Sequence, residues 1–576
     1  MNELEIKSKE LKAFLQKYDT QMFLGSLSQL MTMIDKEGMA DSALGKLSSP
    51  MRQLYYLGGL LMTTNPTEEP RIDFSEEEWA RIVTLLNEIE AEYFKLFIPN
   101  EDQFKDEEWK KKCVASMPTF LSYFNLGPLN YEEQSINWIR DVYEPLNVRI
   151  KAKIDLSTED FLKFYDTLDT WCQNNFRMFN GLDLKLFPLR VDWEDYTSIK
   201  LRVIDEALDE IKELVNQKLP LYTFIKDYGI KNRFKSSDLV CDTLPLEKVE
   251  KILSILTCKR QETDFMFYTS TKPANPLYEY PIVDLGNSLY QVFEEKQVLH
   301  AISNALNTLM NSDSKSVSKH NKRKGNVLEI NIVNLFRKFF GPKVEIYQPY
   351  YVNGHEQDML VLWKDYAFVI EAKNYKHDEP FRDPVRAYHR IKQEFDGCIG
   401  YAYDQIRRVE PYFSKQEPLV IKDEHGNVIK TIDTSKYANG DYYIIVNMNS
   451  FGQIQVDLSM MLELEDDGRY PWAVKYDDLE VFILTLIQKR KKPADFIDFL
   501  TMREFLHGHV RCSDELEICG GFITKDITYE MAQNENQVIV TTPSLASIFD
   551  EQYRKGMGFK NEKYWNLKKE GKTLFW

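Results

Sequence analysis

The segment that most constrains the fold is an apolar, strand-forming run that ends abruptly in charge. Residues Tyr366–Ile370 are followed at once by Glu371, Ala372 and Lys373. Because side chains alternate across a strand, Glu371 and Lys373 lie on the same face. A buried strand that ends in two charges on one side requires a partner for them. The preceding strand-like run is the nearest candidate.

That preceding run is Asp358–Trp363, and a two-residue turn between the runs would make a hairpin. Asp358 would then lie directly opposite Glu371, with Cβ atoms ~4.5–5.5 Å apart, and Lys373 opposite Glu356. Two facing carboxylates repel, and a divalent cation between them would reverse that effect. The turn pair, Lys-Asp, is not a favoured one, and a longer turn would shift the register. A salt bridge at a sheet edge is the alternative interpretation.

A patch of two carboxylates and a lysine suits metal-assisted hydrolysis of phosphodiesters. Mg²⁺ binds through one or two carboxylates, waters and phosphate oxygens. The cation polarises the phosphoryl group and lowers the pKa of a bound water. A nearby ammonium orients that water or offsets charge as the phosphorus is attacked.

Four positions in order resemble the PD-(D/E)xK nuclease superfamily, which has the restriction-endonuclease-like fold. They are Glu329 on a leading helix, Asp358 at the start of a strand, Glu371-Ala372-Lys373 at the end of the next, and Gln405. The segment after Lys373 resembles the helical stretch of nuclease-related (NERD-like) members. The resemblance covers about residues 322–450. It departs from the family pattern where Gln357, not proline, precedes Asp358.

The resemblance implies a site for Mg²⁺ or Mn²⁺ held by Asp358 and Glu371, with the Ala372 carbonyl. Glu329 would complete this site or hold a second ion through water. Lys373 would orient or activate the attacking water.

Six further residues are candidates for positioning or binding the substrate around that site. The resemblance implies that Gln405 positions the substrate or the lysine. Five arginines are candidate contacts to a phosphate backbone: Arg382, Arg386 and Arg390, which share one helical face, and Arg407 and Arg408 beside Gln405. A solvated helix face is the alternative for the first three.

The expected fold class is a multidomain α and α/β protein. Residues 1–312 are predicted to form a large all-helical region, and a polar Ser/Lys-rich stretch at 311–326 is predicted to be a linker. Residues 322–460 are predicted to form a restriction-endonuclease-like α/β domain in the order α-β-β-β-α-β. Residues 465–576 are predicted to form a small C-terminal α/β or helical domain.

Several local patterns carry predictions of single elements. A capping box at Ser75–Glu78 predicts the start of a helix, Ser157–Asp160 is predicted to open another, and an amphipathic pattern predicts a third at 195–217. Val344–Val352 is predicted to be one strand. Leu516–Ile523 is predicted to be extended.

Composition indicates the kind of partner and the cellular compartment to expect. The net charge is −17, yet Lys and Arg outnumber Asp and Glu between residues 314 and 415, which favours a polyanion there. Seven scattered cysteines without a CxxC pair favour reduced thiols in the cytosol. No apolar run has the length of a membrane span, and we expect neither a membrane partner nor an export signal.

The resulting hypothesis is a cytoplasmic endonuclease that acts on DNA rather than RNA. Its helical region would gate the nuclease through a homo-oligomer or a regulatory protein partner. Asn125–Gln134 and Asp514–Gly521 resemble parts of bacterial proteins with such modules, some of them in anti-phage defence. The alternative is a catalytically inactive scaffold that binds nucleic acid or protein.

Overall fold

The structure is a computed structural model of the 576-residue chain. It describes residues 3–31, 43–95, 107, 109, 111–116, 130–186, 228–266, 274–312, 314–375, 384–438, 440–512 and 514–562. The helix predicted at 195–217 lies outside the described residues, as do Arg382 and the first half of the 125–134 segment.

The first 312 residues are mainly helical but also contain a sheet. Their helices are α1 (Glu3–Leu15), α2 (Thr20–Met31), α3 (Pro50–Met62), α4 (Glu76–Lys95), α5 (Glu132–Tyr143), α6 (Asn147–Ile154), α7 (Thr158–Leu186), α8 (Leu246–Leu256), α9 (Pro276–Glu279) and α10 (Glu295–Met310). Their strands are β1 (Arg233–Lys235), β2 (Thr257–Cys258), β3 (Ile282–Gly286) and β4 (Leu289–Val292), in the order β1-β4-β3-β2. The prediction of an all-helical region is therefore wrong. These strands have two to five residues, too few for a clear period-two pattern.

The predicted capping box at Ser75–Glu78 and the predicted helix start at Ser157–Asp160 are both confirmed, and the second is also a capping box. Ser75 Oγ accepts a hydrogen bond from the Glu78 N–H, and Glu78 Oε2 accepts one from the Ser75 N–H. Ser157 and Asp160 make the same reciprocal pair at the start of α7. Each box satisfies backbone donors that the first helical turn leaves unpaired.

The predicted linker at 311–326 is instead the first half of a long helix, α11 (Ser314–Phe340). Here tertiary contacts outweigh a polar composition. Arg323 donates to the Asp141 carbonyl at 2.6 Å, and Lys324 lies 3.4 Å from Asn307. Buried His320 packs against the Tyr143 ring. Two of the three clustered basic residues thus bind other parts of the chain, and α11 joins the N-terminal core to the central domain.

The middle of the chain forms two sheets. The strands are β5 (Glu345–Tyr347), β6 (Tyr350–Val352), β7 (His355–Gln357), β8 (Met359–Trp363), β9 (Tyr366–Lys373), β10 (Leu419–Lys422), β11 (Val428–Ile432), β12 (Asp441–Asn447) and β13 (Trp472–Lys475). The central sheet has the order β13-β12-β9-β8-β5, and the smaller sheet has the order β11-β10-β6-β7. Val344–Val352 is therefore not one strand, because β5 and β6 belong to different sheets.

A helical crossover connects β9 to its parallel neighbour β12. It consists of α12 (Pro384–Phe395), a π-helical turn (Asp396–Gly400), α13 (Tyr401–Ile406) and α14 (Glu410–Ser414). With α11 in front and β5, β8 and β9 antiparallel, the central sheet follows the predicted order α-β-β-β-α-β, but the four strands of the smaller sheet, which were not predicted, are inserted into it.

The two faces of β9 pack against different cores. Phe368 and Ile370 pack in the core that contains α11, whereas Ala367 and Val369 pack in the core that contains α12. By alternation Glu371 belongs to the second face, beneath the crossover helices.

The C-terminal part does not begin as a separate sheet, because β13 pairs with β12 in the central one. Its further elements are α15 (Gln453–Val456), α16 (Tyr476–Gln488), α17 (Pro493–Glu504), β14 (Val510–Arg511), α18 (Glu515–Thr524), α19 (Tyr529–Ala532), β15 (Ile539–Val540) and α20 (Ser547–Lys555). Leu516–Ile523 is helical, so its predicted extended conformation is wrong. The domain boundaries at 312, 460 and 465 stay predictions. Across the described ranges, no helix combines the length and apolarity that crossing a bilayer requires.

Candidate active site at the end of two neighbouring strands

The predicted hairpin is confirmed in its register. Trp363 pairs with Tyr366 and Met359 with Ile370, so the turn between β8 and β9 has two residues. Lys364 in that turn adopts a left-handed conformation, with φ of 53°. The same register, extended by one residue, places Asp358 opposite the last acidic residue of β9.

Three charged side chains meet at this point. Lys373 Nζ lies 2.9 Å from Asp358 Oδ2 and 2.9 Å from Glu371 Oε2. The Ala372 N–H donates to the same Asp358 oxygen at 2.8 Å, and the Asp358 N–H donates to Glu371 Oε1 at 3.4 Å. The backbone of each strand thus holds the carboxylate of the other. We call Asp358, Glu371 and Lys373 the carboxylate–lysine patch.

The carboxylate–lysine patch is largely shielded from water. The Glu371 side chain has no exposed surface, and those of Asp358 and Lys373 are 17% and 13% exposed. A surface salt bridge, the alternative from sequence, does not fit this burial. The expected pairing of Lys373 with Glu356 is wrong, because Glu356 lies on β7 and pairs with Tyr351 in the smaller sheet.

Burial and charge set the protonation of the patch. The pKa of Glu371 is raised to about 8; burial is the largest cause, Lys373 opposes it, and Asp358 adds to it. Burial alone would lower the pKa of Lys373, but the two carboxylates outweigh it and hold that pKa above its usual value. The ammonium therefore stays charged and balances acidic groups that the fold has desolvated.

Glu329 lies on α11 and is half-buried, and its pKa responds to the charges of the patch. The pKa of Glu329 is raised to about 7; burial is the largest cause, Asp358 and Glu356 add to it, and Lys373 opposes it. The Glu329 carboxyl therefore lies within electrostatic range of the patch, and its role as a metal ligand stays a prediction. The structure gives it as a neighbour of the patch, not as a member of its hydrogen-bonded set.

Gln405 lies on α13 and is 5% exposed. Its Nε2 donates to the Glu356 carbonyl at 3.5 Å, which ties the crossover helices to the strand that leads into Asp358. Among the described residues its Oε1 has no hydrogen-bond partner despite being buried. Such an atom is costly to leave unpaired and is a place where a ligand or water binds.

Sequence reasoning missed two residues beside the patch. Tyr350 and Gln357 pair with each other across β6 and β7, and both are fully buried. Tyr350 Oη and Gln357 Oε1 also lack a partner within the described part of the chain. Burial raises the pKa of Tyr350 well above its usual range, and Glu371 and Asp358 add to the shift. The position of Gln357 immediately before Asp358 was the available signal.

The arginines predicted to contact a phosphate backbone differ in their exposure and in their acidic neighbours. Arg386 is exposed on α12, and half-buried Arg390 lies 3.8 Å from Glu394. Arg407 is 11% exposed, and its guanidinium contacts the carboxylates of Glu410, Glu465 and Asp467. A phosphate would have to displace those acids from Arg407.

Arg408 is half-buried, and its backbone N–H donates to the Gln405 carbonyl at 3.1 Å. The contact of each arginine to nucleic acid stays a prediction.

The donor set fits a hard divalent cation. Two carboxylates converge on one point, now contacted by the lysine ammonium, and Mg²⁺ takes one or two carboxylates with waters. Within the described ranges, no group of three or more His, Cys, Asp or Glu side chains is arranged to hold a metal ion. Two converging carboxylates, with Glu329 and the Ala372 carbonyl adjacent, are the ligands that this site can present.

Comparisons with known proteins give no relative. No protein-family model, no curated protein and no solved structure matches this chain.

Proposed function

We propose that this protein is a metal-dependent phosphodiesterase that cleaves polynucleotides at the carboxylate–lysine patch. The observation that carries the proposal is the single ammonium, Lys373 Nζ, in contact with two buried carboxylates where neighbouring strands end. Stability alone does not favour such an arrangement, because desolvation of buried ion pairs offsets much of their attraction. Strongly shifted pKa values in a cluster of this kind are typical of a functional site.

The order of elements supports kinship with the PD-(D/E)xK superfamily. The support is a leading helix, three antiparallel strands, a helical crossover and a parallel fourth strand in the central sheet, the elements on which the resemblance would put the motif residues. Glu329 is on the leading helix, Asp358 precedes the second strand, and Glu371 ends the third.

Asp358 and Glu371 would hold Mg²⁺ or Mn²⁺, with the Ala372 carbonyl and Glu329 as further ligands. When bound, the cation would polarise the phosphoryl group and lower the pKa of a water. Lys373, already held beside both carboxylates, would orient the attacking water and offset negative charge on the phosphate. Gln405 acts as a positioning residue, because its amide fixes the strand that enters Asp358.

DNA is our first candidate substrate and RNA the second, with cleavage inside the chain rather than from its ends. We also propose that the N-terminal region regulates the site, as α11 runs unbroken from the N-terminal core to Glu329. A homo-oligomer or a regulatory protein would act through that helix. The seven cysteines, all within the described ranges, form no disulfide, which suits a reducing cytoplasm. A role in anti-phage defence stays a prediction.

Circular plasmid, linear duplex, single-stranded DNA and RNA are incubated with the protein in Mg²⁺, Mn²⁺ or EDTA. We expect cleavage that requires the cation, opens the circle, and falls at least about 100-fold in Lys373→Met. Lys392→Met, which removes an exposed lysine paired with Asp396, is the matched control and should cleave like the parent. Absence of cleavage by the parent under every condition favours the inactive scaffold.

A further inference from the structure

An exposed aromatic ring lies beside the carboxylate–lysine patch and has no role in the chemistry described above. Tyr401 is the first residue of α13, and its ring centroid lies 5.8 Å from Lys373 Nζ. The residue is 51% exposed. Its helix neighbours Ala402 and Ile406 are buried in the core, so the fold packs α13 without using the Tyr401 ring.

The backbone that presents Tyr401 is unusual. The preceding turn, Asp396–Gly400, is π-helical, and such turns are rare and often occur at functional sites. A Cβ on Gly397 would lie 3.1 Å from Tyr375 Oη, so glycine allows the Tyr375 ring to pack against this turn. A Cβ on Gly400 would meet no atom closer than 3.6 Å, so the turn requires a glycine at 397 and not at 400.

The geometry suits one kind of ligand. The ammonium of Lys373 lies over the ring at cation–π distance, and about half of the residue remains exposed to solvent. A flat ring within one nucleotide's reach of a phosphodiesterase centre is a platform for a nucleobase. Stacking of this kind contributes measurably for each base and tolerates any sequence.

We propose that Tyr401 forms a nucleobase-stacking subsite and that the preferred substrate has an unpaired base next to the scissile phosphate. Within a duplex the faces of a base are covered by its neighbours. The site therefore takes single-stranded polynucleotide, or an unpaired stretch of duplex, ahead of regular duplex. This inference rests on the proposed function, because it assigns the substrate of the same site.

The probe is a short single-stranded DNA that carries the fluorescent base 2-aminopurine, titrated with the full-length protein in EDTA. We expect the parent to quench the fluorescence as the base stacks. Tyr401→Ala should lose the quenching and bind roughly tenfold more weakly, whereas Tyr401→Phe and Tyr401→Trp keep both. Tyr280→Ala, which removes another exposed tyrosine (39% exposed) far along the chain, is the control and should match the parent.

Equal quenching and affinity in Tyr401→Ala and the parent would overturn the stacking subsite, as would a parent that binds regular duplex more tightly than single strands. Repeating the titration with single-stranded RNA tests whether the sugar matters. Failure of the proposed function looks different. In that case the parent cleaves no polynucleotide in Mg²⁺ or Mn²⁺, whatever the 2-aminopurine titration reports.

Discussion

Replacing Lys373 with methionine tests whether the ammonium balances the two desolvated carboxylates. Methionine keeps most of the apolar length of the side chain and removes only the charge. Glu371 has no exposed surface and Asp358 little, so solvent does not replace the lost ammonium. Removing one partner of a buried ion pair costs about 3–5 kcal/mol.

Protonation limits that cost. Lys373 opposes the rise in the pKa of Glu371 to about 8, so in the variant that pKa rises further and the carboxyl is protonated at neutral pH. Each pKa unit corresponds to ~1.4 kcal/mol. We therefore expect Lys373→Met to lose about 2–3 kcal/mol of local stability, less than the range for a buried pair whose remaining charge cannot be neutralised.

The assay is hydrogen–deuterium exchange of the peptides that cover β8 and β9, in EDTA at pH 7. A loss of 2–3 kcal/mol corresponds to a roughly 30- to 150-fold increase in the opening equilibrium of these strands. Lys392→Met, whose lysine is 31% exposed and whose partner Asp396 is 51% exposed, should change exchange by no more than about 0.5 kcal/mol. Exchange in Lys373→Met that equals the parent's would refute the charge-balance argument.

Three further changes test the fold around the site. Glu515→Ala should lower the free energy of unfolding in urea by about 3–5 kcal/mol, because it leaves the Arg503 guanidinium, which is 1% exposed, without its carboxylate partner. An unchanged urea midpoint would contradict this. Burial raises the pKa of half-buried Glu480 to about 7, so its ionisation removes stability as pH rises from about 5 through 7. Glu480→Gln should flatten that loss by about 1 kcal/mol, measured as melting temperature against pH, and parallel curves would count against it. Gly440→Ala should lower the melting temperature, because its Cβ would lie 2.6 Å from the Asp365 carbonyl oxygen; a tolerated alanine would show that the β8–β9 turn is placed wrongly.

The hairpin was predictable because its constraints are local. Two continuous apolar runs, a two-residue gap and charges at matching ends favour the register in which Asp358 faces Glu371, and the structure has that register. The leading helix and the existence of a fourth strand were also predicted, whereas its parallel pairing with β9 was not.

Elements that depend on distant partners were not predictable. The first half of α11 is polar, and its helical state depends on contacts such as Arg323 with the Asp141 carbonyl. Leu516–Ile523 is an apolar run too short to distinguish strand from helix. Asp514 caps it as a helix, and Gly520 allows that helix to approach the Leu545 backbone.

In the site, too, the groups set by local sequence were predictable and those set by distant partners were not. The three charged groups follow from strand alternation, but the buried side chains around them come from elsewhere in the chain. Tyr350 reaches the patch only because β6 pairs with β7, and Tyr401 only because a π-helical turn sets the start of its helix. Neither position has a distinguishing local pattern in the sequence.

The most direct test of a metal-dependent centre at this strand end is a crystal structure of the protein soaked in Mn²⁺, with anomalous data. We predict one anomalous peak in contact with both Asp358 and Glu371, and Lys373 Nζ moved from its position between them. Ordered side chains that keep the present arrangement, with no peak at the two carboxylates, would contradict the account.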